Sequence, residues 1–320
     1  MQRYIIRRVV QAIPILLGVT VITFLLMHAA PGDPFSGLIS PRITGEDLER
    51  MRRVAGLDDP LHIQYFKWLW QLLQGNFGYS FTRGDPVAKL IAERMWITFT
   101  LSAMSQGIGL LIGVPFGIIS ALRQYSLVDN VLTVIGFAGL SMPTFFVGLL
   151  GIKVLALDLD LFPTAGVVTL GANYPFPWNY VDVLYHLTLP ALVLGFYSVA
   201  GLMRYARSSM LETLTQDYVR TARAKGLSER VVVYKHALRN SLIPVITLLG
   251  LNVPALFSGA ILTETVFSMP GMGRLGYQAV VQRDYPIIKA VTLFLAFLTV
   301  VGNLLADIAY AWVDPRIRYD

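Results

Sequence analysis

Apolar residues dominate six stretches of the 320-residue chain, and polar residues collect between them. A helix of about 20 mostly apolar residues crosses the hydrocarbon core of a bilayer, which is about 30 Å thick. Five stretches reach this length and the fourth falls slightly short of it. The pattern therefore predicts an all-α integral membrane protein with six transmembrane helices. The predicted spans are residues 9–27, 96–120, 131–157, 187–203, 242–262 and 287–313.

The first span follows Arg3, Arg7 and Arg8, an arrangement that a cleaved signal peptide also shows. The apolar core of a signal peptide usually has about 7 to 15 residues and precedes small residues at the cleavage site. Here the apolar core is longer, and MHAAPGDP matches a cleavage site poorly. An uncleaved membrane anchor is the favoured interpretation.

Basic residues indicate which side of the membrane each short loop occupies, because cytoplasmic loops carry the excess of Lys and Arg. The segment Met203–Asn240 holds eight basic and three acidic residues, whereas Asp158–Tyr185 holds no basic residue. Both termini also carry arginines, including Arg316 and Arg318. We therefore expect both termini and Met203–Asn240 to be cytoplasmic, and Asp158–Tyr185 to lie outside.

Composition supports a membrane protein. The chain is 55% hydrophobic and 14% charged, against about 25% charged residues in soluble domains. The net charge of +6 comes from basic residues beside apolar runs, which favours a topology signal over nucleic-acid binding. The absence of cysteine excludes disulfides and cysteine metal sites.

The long segment between the first two spans carries signals of short helices. Thr44 with Asp47 predicts a capping box, Gly56 the end of that helix, and Pro60 the first position of the next. A small helical cap and a helical hairpin lying in the membrane interface both fit this pattern. The predicted organisation begins with residues 1–30 as the cytoplasmic N-terminus and first span, followed by 31–95 as an extracytoplasmic helical insertion. Residues 96–313 form the core of spans two to six, with a cytoplasmic helix at about 213–235, and 314–320 form a cytoplasmic tail.

Common catalytic motifs are absent from the sequence. It contains no G-x-x-x-x-G-K-[ST], no H-E-x-x-H and no G-x-S-x-G. A membrane enzyme acting on lipid would require a cluster of His, Ser or carboxylate at one membrane face, and no such cluster is visible. A proton-coupled carrier would require buried carboxylates in the middle of its spans. The predicted spans lack them there, since Asp307 lies near the inner end of span six, and no internal repeat is present. A transporter subunit without its own catalytic site is therefore favoured.

Polar groups inside apolar spans are candidates for a translocation path or for interhelical hydrogen bonds. Asn252 lies between Gly250 and Pro254, where a bent helix and a polar side chain coincide. The candidate path residues are Asn252, Pro254, Met142 and Pro143.

A basic stretch, DYVRTARAKGLSERVVVYKHALRN (217–240), interrupts the apolar pattern. Its residues fit two short helices separated by Gly226, at the cytoplasmic membrane surface. Three interpretations are open: a topology signal, an anionic-lipid site, or a docking helix for a cytoplasmic partner.

RTARAKGL followed by HALRNSLIPVITLLGL resembles the cytoplasmic loop of inner-membrane permeases of ABC importers, in the dipeptide, oligopeptide and nickel branch. Arg220-Thr221-Ala222 takes the place of the family's Glu-Ala-Ala and Gly226 that of its glycine, although the Glu is absent. Further matches extend over nearly the whole chain, and they are most similar to the first of the two permeases of a dipeptide system. They are HAAPGDP, GLDDPLHIQYFKWL, GNFGYSF, RSSMLETLTQDYVRTARAKGL, GAILTETVFSMPGMGRL, RDYP and DPRIR.

The resemblance implies a type I importer fold in a bacterial inner membrane. It also implies a second, paralogous permease, two ABC ATPases that bind ATP and Mg²⁺, and an extracytoplasmic substrate-binding protein. The chain itself would hold no cofactor or metal and bind no nucleic acid. Dipeptides or oligopeptides are the expected substrates, with nickel, glutathione or another small solute as alternatives. The expected ATPase-coupling residues are Arg220, Thr221, Ala222, Arg223, Ala224, Lys225 and Gly226.

The segment between spans five and six, residues 263–286, contains turn-forming Pro270, Gly271 and Gly273. Phe267 and Met269 are expected to be exposed near the outer mouth, although apolar side chains on such a loop often cover the protein's own core. The expected binding-protein contact residues are Phe267, Ser268, Met269, Pro270 and Gly271.

Overall fold

The computed structural model describes residues 2–29, 45–54, 56–172 and 174–313. Every regular element within these ranges is a helix, which confirms the predicted all-α class. The helices are α1 (Gln2–Ala29), α2 (Gly45–Val54), α3 (Leu61–Leu73), α4 (Val87–Ile108), α5 (Val114–Leu122), α6 (Leu127–Ser141), α7 (Thr144–Gly151), α8 (Trp178–Leu214), α9 (Asp217–Ala224), α10 (Glu229–Val231), α11 (Leu238–Ser241), α12 (Ile243–Leu251), α13 (Ala255–Ser258), α14 (Ile261–Val266), α15 (Met272–Gln282) and α16 (Tyr285–Val313). Three π-helical segments, Gly109–Gly113, Ile152–Asp158 and Val232–Ala237, connect some of them.

Five helical segments in the described ranges are long and apolar enough to cross a membrane. They are Ile6–Ala29, Val87–Leu122, Trp178–Leu214, Glu229–Val266 and Tyr285–Leu304. The pair Leu127–Ser141 and Thr144–Asp158 is bent by 103° and forms a sixth if it is taken as one span. With that count the structure agrees with the six predicted spans.

Several span boundaries differ from the prediction. The second span begins at Val87, so its helix runs through the predicted boundary at residue 95. The fourth runs for 37 residues, Trp178–Leu214, in place of the short stretch 187–203. At 1.5 Å per residue α8 is about 55 Å long, well beyond a hydrocarbon core of about 30 Å. Pro190 lies inside this helix without ending it.

Small residues allow α4 and α5 to approach α8 closely. Gly109, Gly113 and Gly117 recur every four residues along this contact. A Cβ atom at Gly113 would lie 2.6 Å from the carbonyl oxygen of Val199, and one at Gly117 would lie 2.4 Å from that of Met203. Small residues at such spacing are a common basis of helix packing in membranes.

The segment between the first two spans contacts the end of α1. Tyr65 on α3 and Thr20 on α1 share a hydrogen bond of 2.8 Å, and Phe24 stacks on Trp68. Pro60 lies immediately before α3 and is not its first residue. Gly56 has φ +69° just after α2, as expected for a helix stop. The capping box predicted at Thr44 lies outside the described residues, as do all of residues 30–44 and the tail 314–320.

Candidate coupling and docking sites

The basic stretch at residue 217 forms a short amphipathic helix, α9, as predicted. Val219 and Ala222, three residues apart, are buried, while the remaining side chains of α9 are exposed. The two buried side chains pack in a cluster with Ala121 of α5, Met210 of α8 and residues 232–237. The helix is therefore fixed to the long α8, and its basic face points away from the protein.

Gly226 ends this helix in the left-handed region, with φ +76°. Its backbone N–H donates to the carbonyl oxygen of Arg223 at 2.9 Å, and Leu227 N–H donates to that of Ala222 at 3.4 Å. A glycine adopts this conformation without the strain that a Cβ atom introduces. The chain then turns and begins α10 at Glu229, which agrees with the predicted pair of short helices.

The expected coupling residues divide into two groups. Arg220, Thr221, Arg223, Ala224, Lys225 and Gly226 are exposed. Ala222 is 4% exposed and packs against its own chain, so its side chain is not available to a partner. Arg223 donates to Glu229 at 2.7 Å, and this carboxylate raises the pKa of the guanidinium.

A buried ion pair that the sequence did not reveal lies beneath α9. Arg207 on α8 donates to both carboxylate oxygens of Asp129 on α6, at 2.9 Å each. Ser120 and the backbone N–H of Tyr125 also donate to this carboxylate. Removing one partner of a buried pair is strongly destabilising. The pair therefore joins α5, α6 and α8 one turn before Met210, on which α9 packs.

The outer segment at residues 267–271 is folded inward. Phe267 is 1% and Met269 0% exposed, so their predicted exposure was wrong and the alternative of core packing is confirmed. Both pack in a cluster with Leu101 and Leu187, and the Phe267 carbonyl accepts from Gly166 N–H at 2.9 Å. Ser268 is exposed, Pro270 partly so, and Gly271 buried.

Glu264 packs beside this segment and makes buried hydrogen bonds there. The carboxylate is fully buried and accepts hydrogen bonds from Thr98 Oγ1 at 2.9 Å and from Arg274 N–H at 2.8 Å. A Cβ at Gly271 would lie 2.3 Å from Glu264. Glu264 lies outside the predicted fifth span, 242–262, and close to the end of the helical segment Glu229–Val266. It lies within the quoted motif GAILTETVFSMPGMGRL, but its burial arises from contacts far apart in sequence.

The candidate path residues fall at two breaks in the helices. Asn252 and Pro254 lie between α12 and α13, where Asn252 is exposed and Pro254 packs against Gly302 of α16. Met142 and Pro143 lie at the bend between α6 and α7, and the Met142 carbonyl accepts a hydrogen bond from Tyr197. Pro254 therefore contacts α16, and Met142 contacts α8.

Comparison with known proteins assigns this arrangement to a family. Residues 113–319 match the family described as binding-protein-dependent transport system inner membrane component. Residues 1–102 match the N-terminal family of the same systems. The chain belongs to this family. As a member, it is a multi-pass permease subunit of an ABC importer, a transport subunit and not an enzyme, and it works with ATPase and substrate-binding partners.

Individual relatives cover the whole length of this permease. It is 49% identical over 320 residues to the oligopeptide transport system permease protein AppB of Bacillus subtilis, covering 100% of both chains. It is 44% identical to a putative peptide permease of Brucella suis, covering 99% of both.

A solved structure shows the same fold. The permease matches a chain from inward-facing conformations of the MetNI methionine ABC transporter with a TM-score of 0.56 and 16% identity. The match covers 72% of this chain and 99% of the other. This supports the predicted type I importer fold.

Proposed function

We propose that this permease forms half of a path that imports dipeptides or oligopeptides released by a substrate-binding protein. The observation that carries the substrate class is the 49% identity, over the full length, to a permease named for oligopeptide transport. In this proposal both termini are cytoplasmic and the membrane is a bacterial inner membrane. ATP and Mg²⁺ bind to two partner ATPases, and the chain itself holds no cofactor.

The inner docking element is α9 with Gly226. Its apolar stripe, Val219 and Ala222, is occupied by the permease's own core, so the ATPase contact is made by the exposed basic face. Basic side chains steer association with an acidic or carbonyl-rich groove. A displacement of α9 would move α8 as well, because Met210 of α8 packs in the same buried cluster. Since α8 crosses the membrane, this contact links nucleotide-driven motion to the path.

The outer docking element is the segment around Ser268 and Pro270. These residues are accessible, whereas Phe267, Met269 and Gly271 hold the segment in place from inside. A binding protein therefore contacts the outer surface of a preformed turn.

A second permease completes the path. Within the most apolar stretch of Glu229–Val266, 6% of the residues are buried, against 22% to 44% in the other four spans. Asn252 is exposed on this least covered segment. A polar side chain facing lipid is costly, so a partner helix or an aqueous path is its favourable environment.

Reconstitution tests the substrate class. The permease, its paralogue and the two ATPases are placed in proteoliposomes with the binding protein, and ATP hydrolysis and uptake are measured for di- and oligopeptides, nickel and glutathione. We expect stimulation and uptake with peptides. Uptake of nickel or glutathione without peptide uptake would replace the peptide assignment.

A further inference from the structure

Three arginine side chains line one small cavity beside the outer segment. Arg83 comes from the loop before α4, Arg94 from α4, and Arg274 from α15. Pro270, Gly271 and Gln278 contribute to the same wall, and the cavity has a volume of about 210 Å³. Ligand pockets for drug-sized molecules usually have volumes of about 300 Å³ or more. The cavity therefore suits a single small group.

The positive charge of this cavity is not balanced by a direct ion pair. Within the described part of the chain, no carboxylate oxygen lies within 4.0 Å of a guanidinium nitrogen of these arginines. The neighbouring carboxylates have other partners: Glu93 lies 3.9 Å from Lys89, and Glu264 accepts from the backbone of Arg274. The cavity thus brings three like charges together.

Buried contacts hold the loop that carries Arg83 in position. Asp284 is fully buried and accepts from Ser80 Oγ at 2.5 Å and from Thr82 Oγ1 at 2.8 Å. Ser80 Oγ in turn accepts from Arg83 N–H at 3.0 Å. The Arg83 guanidinium also donates to Gln278 at 2.9 Å. These contacts fix the loop that carries Arg83 against α15.

A group of converging guanidinium ions is suited to a carboxylate. The planar fork of arginine donates two parallel hydrogen bonds to a carboxylate, and charge-assisted bonds of this kind are stronger than neutral ones. Positioning the donors before binding reduces the entropic cost of association. An incoming carboxylate would also relieve the repulsion among the three cations.

We propose that the three-arginine cavity receives an acidic side chain of the substrate-binding protein when that protein docks. The inference rests on the proposed function, because it places a binding protein at the Ser268–Gly271 segment. Pro270 and Gly271 form both the edge of that segment and one wall of the cavity. One docking event therefore engages the turn and the arginines together.

The test measures the affinity of peptide-loaded binding protein for the assembled transporter in nanodiscs of phosphatidylcholine. The variants are Arg94→Gln and Arg274→Gln. Because the cavity is open to solvent on one side, we expect each to weaken binding about tenfold, with a smaller dependence on salt than in wild type. Lys89→Gln, on the same helix and outside the cavity, removes the same charge and should leave the affinity unchanged.

A double-mutant cycle identifies the occupant. Each surface Asp and Glu of the binding protein is changed to Asn or Gln, and one such change should lose its effect when combined with Arg94→Gln. Co-purification of the ATPases and the thermal midpoint show whether each variant assembles. A variant that does not assemble is replaced by Arg83→Gln, for which the same weakening and the same coupling are expected.

Four results would overturn the inference. One is wild-type affinity in Arg94→Gln combined with Arg274→Gln, and another is equal weakening by Lys89→Gln. A third is a weakening of binding-protein affinity only in nanodiscs of equal parts phosphatidylcholine and phosphatidylglycerol, which would assign the cavity to a lipid headgroup. The fourth is unchanged affinity together with selective loss, in proteoliposomes, of the uptake of peptides bearing a free carboxyl terminus, which would assign the cavity to the substrate. Failure of the wild-type transporter to respond to the binding protein would instead contradict the proposed function.

Discussion

Replacing Gly226 by valine tests the turn that ends α9. Gly226 has φ +76°, and no heavy atom lies within 4 Å of the position that a Cβ would take. The substitution therefore causes no collision, and its cost is backbone strain. For a residue with a Cβ this strain is about 1 to 2 kcal/mol in the left-handed region.

Strain of this size is enough to change the direction of the chain after α9. A strain of about 1 to 2 kcal/mol shifts the equilibrium from the native turn toward an unstrained backbone conformation by a factor of about 5 to 30. We expect ATPase co-purification and ATP-driven peptide uptake to fall by a comparable factor in Gly226→Val. The permease should still insert and pair with its paralogue, because Val219 and Ala222 remain buried.

Two controls separate coupling from general instability. Gly75 has φ +75° and an equally open Cβ position, so Gly75→Val introduces the same strain after α3, far from α9 in the sequence. Its ATPase binding should match wild type. Gly226→Asn should retain most activity, because asparagine tolerates positive φ. Wild-type ATPase binding and uptake in Gly226→Val would refute the coupling role and leave α9 as a topology signal.

Three further outcomes are expected. Arg223→Glu should weaken ATPase docking in a salt-dependent way. Adding Glu229→Arg should not restore docking, because the exposed Arg223–Glu229 ion pair itself contributes only about 0.2 to 1 kcal/mol. Full restoration in the docking assay would show that Arg223 acts only through its pair with Glu229. Glu264→Gln should destabilise the purified complex by about 1 to 3 kcal/mol, because one of the buried groups that donate to the carboxylate loses its acceptor. An unchanged thermal midpoint would contradict a stabilising role of these hydrogen bonds. Single cysteines at Leu170, which is 95% exposed, and at Lys225 should react with an impermeant thiol reagent from opposite sides of the membrane; labelling from one side would contradict the topology.

Local sequence information was sufficient to predict the number of spans, the all-α class and the position of α9. Apolar runs of membrane length have one stable solution, a helix, because lipid offers no partner for backbone polar groups. Gly226 was assigned correctly because left-handed backbone is a property of a single residue. The ends of the helices were less predictable. Helix α8 continues to Leu214, although its sequence becomes polar beyond the predicted span, because it still packs against Ala121 of α5.

The tertiary structure decided which side chains are available to partners. The sequence of residues 263–275 shows apolar residues in a turn, a pattern that exposed and buried loops share. Burial of Phe267 and Met269 depends on Leu101 and Leu187, and that of Glu264 on Thr98, all distant in sequence. The same holds for the pairing of Asp129 with Arg207 and for the convergence of three arginines on one cavity. Local pattern thus specified where the chain crosses the membrane, whereas contacts between distant segments determined which polar and charged groups are satisfied internally and which remain free to bind.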